Sequence, residues 1–180
     1  MAETTKPFVL IDTPGHQKLR HGMFDALRVA QAARTIQGVV FVVDASAMTN
    51  GDSFRQAAEY LYDVLLVTNG VRGGTDVLIA ANKSELFTAV PAKRLRSLFE
   101  TELNTIREMR ARSLGQTALQ SEKADEAPVP DNYRWLGKPG ETGPLRLVDL
   151  ETEVTVLDGS VETGKVDGWV SWMEERAANP

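Results

Sequence analysis

The sequence has 180 residues, of which 42% are hydrophobic and 25% charged, with a formal charge of −5 at pH 7 and no cysteine. That length suits one compact domain of roughly 100–200 residues, and the composition is close to the globular average, which excludes a wholly disordered chain. The negative balance is the wrong sign for neutralising nucleic-acid phosphates, and the lack of cysteine excludes disulfides, thiolate metal cages and a cysteine nucleophile.

Phe8, Val9, Leu10 and Ile11 form a continuously apolar run that ends at Asp12-Thr13-Pro14-Gly15. Val39-Val40-Phe41-Val42-Val43 repeats the pattern before Asp44, and Val77-Leu78-Ile79-Ala80-Ala81 before Asn82. Each reads as a strand buried on both faces. Between them, Leu19, Met23, Leu27 and Ala30 carry helical spacing, as do Phe54, Ala57, Leu61 and Leu65 after an Asp52 cap. The order is strand, helix, strand, helix, strand, the signature of an α/β fold. No apolar run approaches the roughly 20 residues a membrane helix needs, so no span is expected.

A further helix starts near Pro91, with Leu95, Leu98, Phe99, Leu103, Ile106 and Met109 on one face. Its other face holds Lys93, Arg94, Arg96, Arg107 and Arg110, read as a solvated surface. Residues 113–143 turn to Gln, Ser, Glu, Lys, Pro and Gly, a surface insertion expected to be disordered in large part, in which Tyr133, Trp135 and Leu136 read as a local hydrophobic tether or as a group that docks onto the body or onto a partner. A last strand at 152–157 precedes Asp158-Gly159-Ser160-Val161-Glu162, and Val166, Trp169, Val170 and Met173 pattern a closing helix.

In a parallel sheet, ligands sit beyond the carboxyl ends of the strands. The polar clusters at 12–15, 82–85 and 159–162 all fall at such ends. Asp12 there can hold Mg²⁺ through water, and the Gly15 N–H can approach a terminal phosphate closely. Taken alone, these are also ordinary turn residues. Asn82-Lys83-Ser84-Glu85 adds an amide, a long aliphatic ammonium stem and a carboxylate in order. Asn82 can bond the Hoogsteen edge of guanine, Lys83 can lie along the ring, and Glu85 can accept from the ring N–H and the exocyclic amine.

These stretches resemble the Ras-like small GTPases, and more narrowly the family of signal recognition particle receptor beta subunits. The resemblance rests on Phe-Val-Leu-Ile-Asp-Thr-Pro-Gly-His-Gln-Lys-Leu-Arg at 8–20, Gly-Val-Val-Phe-Val-Val-Asp at 38–44 and Ala-Glu-Tyr-Leu-Tyr-Asp-Val-Leu at 58–65. It continues through Ala-Asn-Lys-Ser-Glu at 81–85, Glu-Leu-Asn-Thr-Ile-Arg at 102–107 and Trp-Leu-Gly at 135–137. It implies a P-loop NTPase-like, three-layer, doubly wound sheet across 1–180, a partial G domain. Asp12 and Gly15 would then belong to the phosphate and magnesium switch, with His16 where many relatives place a water-positioning glutamine. Asn82, Lys83 and Glu85 would read guanine, and Ser160 with the Val161 backbone N–H would form the last nucleotide loop. Glu85 replaces the family's usual aspartate and Glu162 its usual lysine.

The same resemblance implies GTP with Mg²⁺ as ligand and the N-terminal domain of the receptor's alpha subunit as partner. Through that partner it implies indirect links to the signal recognition particle, ribosome and translocon at the cytosolic face of the endoplasmic reticulum membrane. The family's phosphate cradle, Gly-x-x-x-x-Gly-Lys-Ser/Thr, does not occur in this sequence. Gly70-Val71-Arg72-Gly73-Gly74 lacks its lysine and hydroxyl and reads as a helix end and turn. The matching stretches begin at the family's third strand, so an N-terminally truncated chain is expected, without the anchor, the phosphate loop or the first strands. Such a chain is expected to bind GTP weakly or not at all, with negligible hydrolysis. A nucleotide-free pseudo-GTPase scaffold and a translation-GTPase fragment are the alternatives. The guanine reading requires Asn82 and Ser160 to meet at one rim.

Overall fold

The computed structural model describes residues 9–16, 18, 20–33, 35–49, 51–69, 74–120, 136 and 143–178. Its strands are β1 (Val39–Asp44), β2 (Val77–Asn82) and β3 (Val154–Asp158), and its α-helices are α1 (Arg20–Ala32), α2 (Gly51–Asn69), α3 (Ala92–Gln120) and α4 (Asp167–Ala178). The strands form a parallel three-stranded sheet in the order β1-β2-β3. Register places Asp44 opposite Asn82 and Ala81 opposite Asp158, so the polar ends of all three strands share one rim.

β2 shows why a continuous apolar run is required. Its side chains alternate between faces. Val77, Ile79 and Ala81 join one cluster with Phe41, Val43, Leu61, Leu65, Leu95, Phe99 and Leu103, while Leu78 and Ala80 pack on Trp169 and Trp172. Helices α2 and α3 therefore cover one face and α4 the other, giving the three layers expected. The closing helix turns its buried side through Trp169, Trp172 and Ala177, and Val170 remains 39% exposed. Close backbone approach permits this packing. A Cβ on Gly159 would lie 2.3 Å from the Trp169 ring, and one on Gly38 2.7 Å from the Trp172 ring.

Three expectations change. The apolar run at 9–11 is not a strand: Val9, Leu10 and Ile11 are 87%, 73% and 72% exposed. A strand of this kind gains only when its backbone groups pair and both faces are covered. In the sheet that the resemblance implies, another strand separates this run from β1. No described segment takes that place, so β1 is an edge and Val42 is 60% exposed.

The basic side of α3 is not a uniform solvated face. Arg107 is buried, donating to Asn104 Oδ1 at 3.0 Å and to the Gly143 carbonyl at 2.6 Å. Arg110 pairs with Asp63 at 2.8 Å and lies over the Tyr62 ring. Lys93 and Arg94 are the residues of that set that stay exposed. On the apolar side, Met109 is 48% exposed.

Helix α3 also runs on to Gln120, into the segment read as an insertion. Tyr133 and Trp135 lie outside the described residues, as do 121–132, 134 and 137–142. Leu136 is fully buried and its N–H donates to Tyr62 Oη at 3.4 Å, as a tether would. The returning chain is sewn to α3 by Asn104, whose side chain bonds both the N–H and the carbonyl of Leu145, and by Glu100, which accepts from the Leu147 N–H.

Candidate functional site

The rim is built by loops that leave the three strand ends and bond to one another. After β1, the Ala45 N–H donates to the Asn82 carbonyl at 2.9 Å. After β2, the Ser84 N–H donates to the Gly159 carbonyl at 3.0 Å, and the Gly159 N–H to the Ala81 carbonyl at 2.9 Å. Asn82 Oδ1 then accepts the Val161 N–H at 3.1 Å. Asn82 and the 160–162 loop therefore meet, as the guanine reading requires.

The Val161 N–H, expected to face a ligand, is engaged by Asn82, while the Asn82 amide nitrogen has no partner among the described residues. Ser160 is buried, and its hydroxyl accepts the Thr163 N–H at 3.1 Å while its own N–H donates to the Lys165 carbonyl. Its role is to close the tight 160–165 loop. Val161 at the loop tip is 64% exposed, and the side chains of Glu85 and Glu162 are exposed at the same rim.

Among the described residues, Lys83 is the non-glycine residue with a positive φ, 67°, the left-handed conformation that side chains disfavour. Its ammonium bonds Asp44 Oδ2 at 2.5 Å. That bond and the charge of Asp44, with smaller contributions from Glu85 and Glu162, raise its pKa above 10.5. Neither Asp44 nor this contact is signalled by sequence spacing; the register of β1 on β2 creates it. Asp158, at the end of β3, is likewise committed: its carboxylate accepts the Ala92 N–H at 2.7 Å and so caps α3.

Asp12, Gly15 and His16 stand apart from this cluster. All three are exposed, and among the described residues no hydrogen bond or ion pair joins them to the loops after β2 and β3. The Gly15 carbonyl accepts from Arg20 Nε and Nη2, both at 3.3 Å, and the Arg20 guanidinium lies 3.9 Å from the centre of the Tyr60 ring. His16 Nδ1 accepts the Lys18 N–H. The segment is thus held toward α2. Among the described residues no group of three or more His, Cys, Asp or Glu could hold a metal, and no helix is long and apolar enough to cross a membrane.

A parallel sheet with helices on both faces, its polar loops gathered beyond the carboxyl ends, has the Ras-like α/β fold of the P-loop class. The family model for the signal recognition particle receptor beta subunit matches residues 2–134, and the chain belongs to that family.

The chain is 33% identical over 168 residues to signal recognition particle receptor subunit beta of Saccharomyces cerevisiae, covering 93% of this chain and 65% of that protein. The Homo sapiens protein of the same description is 33% identical over 173 residues, covering 93% and 58%. The chain thus spans less than two thirds of the length of these relatives. Among solved structures, the signal recognition particle receptor SRb-GDP-Mg from Chaetomium thermophilum matches with a TM-score of 0.71 at 31% identity, over 93% of this chain and 78% of that one. The SRb-GTP/SRX complex from the same organism matches with a TM-score of 0.73 at 31% identity, over 93% and 66%.

Proposed function

We propose that this chain carries the base-reading half of a guanine-nucleotide site in a signal recognition particle receptor beta subunit. The observation that carries the reading is the 3.1 Å bond from the Val161 N–H to Asn82, which joins the two loops that must surround one purine. The free Asn82 amide nitrogen suits N7 and O6 of guanine, and the exposed Glu85 carboxylate suits its N1–H and 2-amino donors. The Lys83 stem offers apolar cover for the ring. At the phosphate end, Asp12 and Gly15 make no bond to the rim among the described residues. Asp12 is the residue of this chain that would hold Mg²⁺, through water, and the ion would supply positive charge against the phosphates.

By family, the nucleotide state of such a subunit governs docking of the alpha subunit's N-terminal domain at the endoplasmic reticulum membrane. Residues 12–20 and α1 form part of that contact in this reading. The similarity to the SRb-GTP/SRX complex from Chaetomium thermophilum supports a partner of this kind. The separation of Asp12 and Gly15 from the rim favours a second reading, a scaffold that makes the same protein contact without nucleotide.

Calorimetry on this chain with guanosine, GTP plus Mg²⁺ and ATP separates the two. The first reading expects guanosine and GTP to bind with similar weak affinity and ATP not to bind. Binding of neither guanine compound, together with co-purification of an alpha-subunit N-terminal domain, establishes the scaffold. Tight, magnesium-dependent GTP binding overturns the assignment of a base-reading half alone.

A further inference from the structure

Asp44 closes β1 opposite Asn82, and its carboxylate oxygens have separate partners. Oδ1 accepts the Ser46 N–H at 3.0 Å and the Ser46 hydroxyl at 2.6 Å, while Oδ2 holds the Lys83 ammonium at 2.5 Å. Burial pushes this carboxyl up, but the bonds from Lys83 and Ser46 outweigh it and hold the pKa below 3.8, so the group is ionised at neutral pH. Ser46 therefore orients a fixed anion toward the lysine.

Lys83 has other suitors. Glu85 and Glu162 lie close enough to favour its charged form, and Glu85 makes no hydrogen bond or ion pair among the described residues. A carboxylate can read guanine N–H donors only while its lone pairs are open, and an ammonium paired with it would occupy them. A long, exposed lysine stem with free rotamers would reach whichever acid is nearest.

We propose that Asp44 is a positioning residue for guanine selectivity: it holds Lys83 on the β1 side of the rim and so keeps the Glu85 carboxylate open for the base. This rests on the guanine-site reading above. Asp44 touches no base. It acts by withholding the lysine from Glu85, and Ser46 supports it by fixing the carboxylate.

The test is a nuclear magnetic resonance titration of the 180-residue chain with guanosine and with inosine, which lacks the 2-amino group, followed at the backbone amides of 82–85 and 160–162. The parent chain binds guanosine in preference to inosine. D44N weakens guanosine binding about fivefold, the upper range for an exposed ion pair, and the preference over inosine disappears. In D44N/K83M the preference returns, because no lysine remains to occupy Glu85; a purely structural role for Asp44 predicts no such rescue. Unchanged preference in D44N, or no recovery in the double variant, overturns the inference while leaving the guanine site standing. No saturable shift with either nucleoside in the parent chain overturns the site itself, and this inference with it. Should D44N fail to fold, S46A carries the test, with an expected loss of about twofold in the same direction and an unchanged preference as the overturning result.

Discussion

Trp169 lays its ring against the bare backbone of Gly159 and donates its Nε1–H to the Leu157 carbonyl at 3.2 Å. The closing helix is thereby seated on the strand that delivers Ser160 and Val161 to the rim. A methyl group at 159 would meet the ring at 2.3 Å and the Lys165 carbonyl oxygen at 2.9 Å, so either the indole or the loop must move. G159A is expected to cost about 1–3 kcal/mol, as overpacking of a fitted contact does, and to slacken the 160–165 loop. Gly51, with nothing within 4 Å of its added Cβ, serves as the control, and G51A should leave the urea midpoint nearly unchanged.

N82A removes the acceptor of the Val161 N–H without touching the apolar core. Val161 is exposed, so water replaces the lost partner and the cost is small, about 0.5–1.5 kcal/mol. The informative readout is local. Hydrogen exchange at the Val161 amide should accelerate by more than the loss of global stability alone produces, whereas the Gly159 amide, held by the Ala81 carbonyl, should accelerate by no more than that loss.

Tyr62 is fully buried and Tyr60 partly so, and in both burial raises the phenol pKa above 10.0. Arg20 opposes this at Tyr60; the Leu136 N–H and nearby arginines oppose it at Tyr62, without reversing either shift. An unfolded chain releases these protons near its ordinary value, and the folded chain releases them later. Stability from this source is therefore intact below pH 10 and declines as pH rises through the folded values. Denaturant midpoints measured from pH 8 upward should fall only beyond about pH 10, and Y62F should blunt that fall. At neutral pH, Y62F leaves the Leu136 N–H buried without its partner, at a cost of about 1–3 kcal/mol.

The strand-end clusters at 82–85 and 159–162 were legible because a buried parallel strand must be apolar along its whole length, so the first polar residues mark the rim. β2 satisfies that rule completely. The apolar run before Asp12 obeys it equally well in sequence, and yet Val9, Leu10 and Ile11 remain exposed coil, because pairing depends on a neighbour and not on the strand's own side chains. Arg107 escaped for a related reason. Its helical position looks like a solvated one, and the carbonyl that buries it belongs to Gly143, brought back by a connection without periodicity. The Asp44–Lys83 contact is also non-local, created by strand register across 39 positions of sequence.

Arg176 carries the largest polar commitment of α4, and its partners are unequal. The guanidinium, with 14% of the side chain exposed, donates to Asp76 Oδ2 at 2.9 Å and reaches Glu153 at 3.2 Å and Glu175 at 2.9 Å. It also lies 5.0 Å from the centre of the Trp172 ring. Glu153 and Glu175 are 66% and 65% exposed, where ion pairs contribute about 0–1 kcal/mol. Asp76 is 30% exposed, and its other oxygen accepts the Glu153 N–H at 3.3 Å, tying the entrance of β2 to that of β3. D76N should therefore cost more than E153Q: about 1–2 kcal/mol against a few tenths. R176M keeps much of the stem's packing but leaves Asp76 without its cation, and about 2–3 kcal/mol is expected. In a double-mutant cycle, R176M and D76N should be less than additive, and R176M with E153Q close to additive. Equal coupling to both acids in urea titrations would show that the exposed arm of this cluster matters as much as the sheltered one, contrary to the geometry of α4 on the sheet.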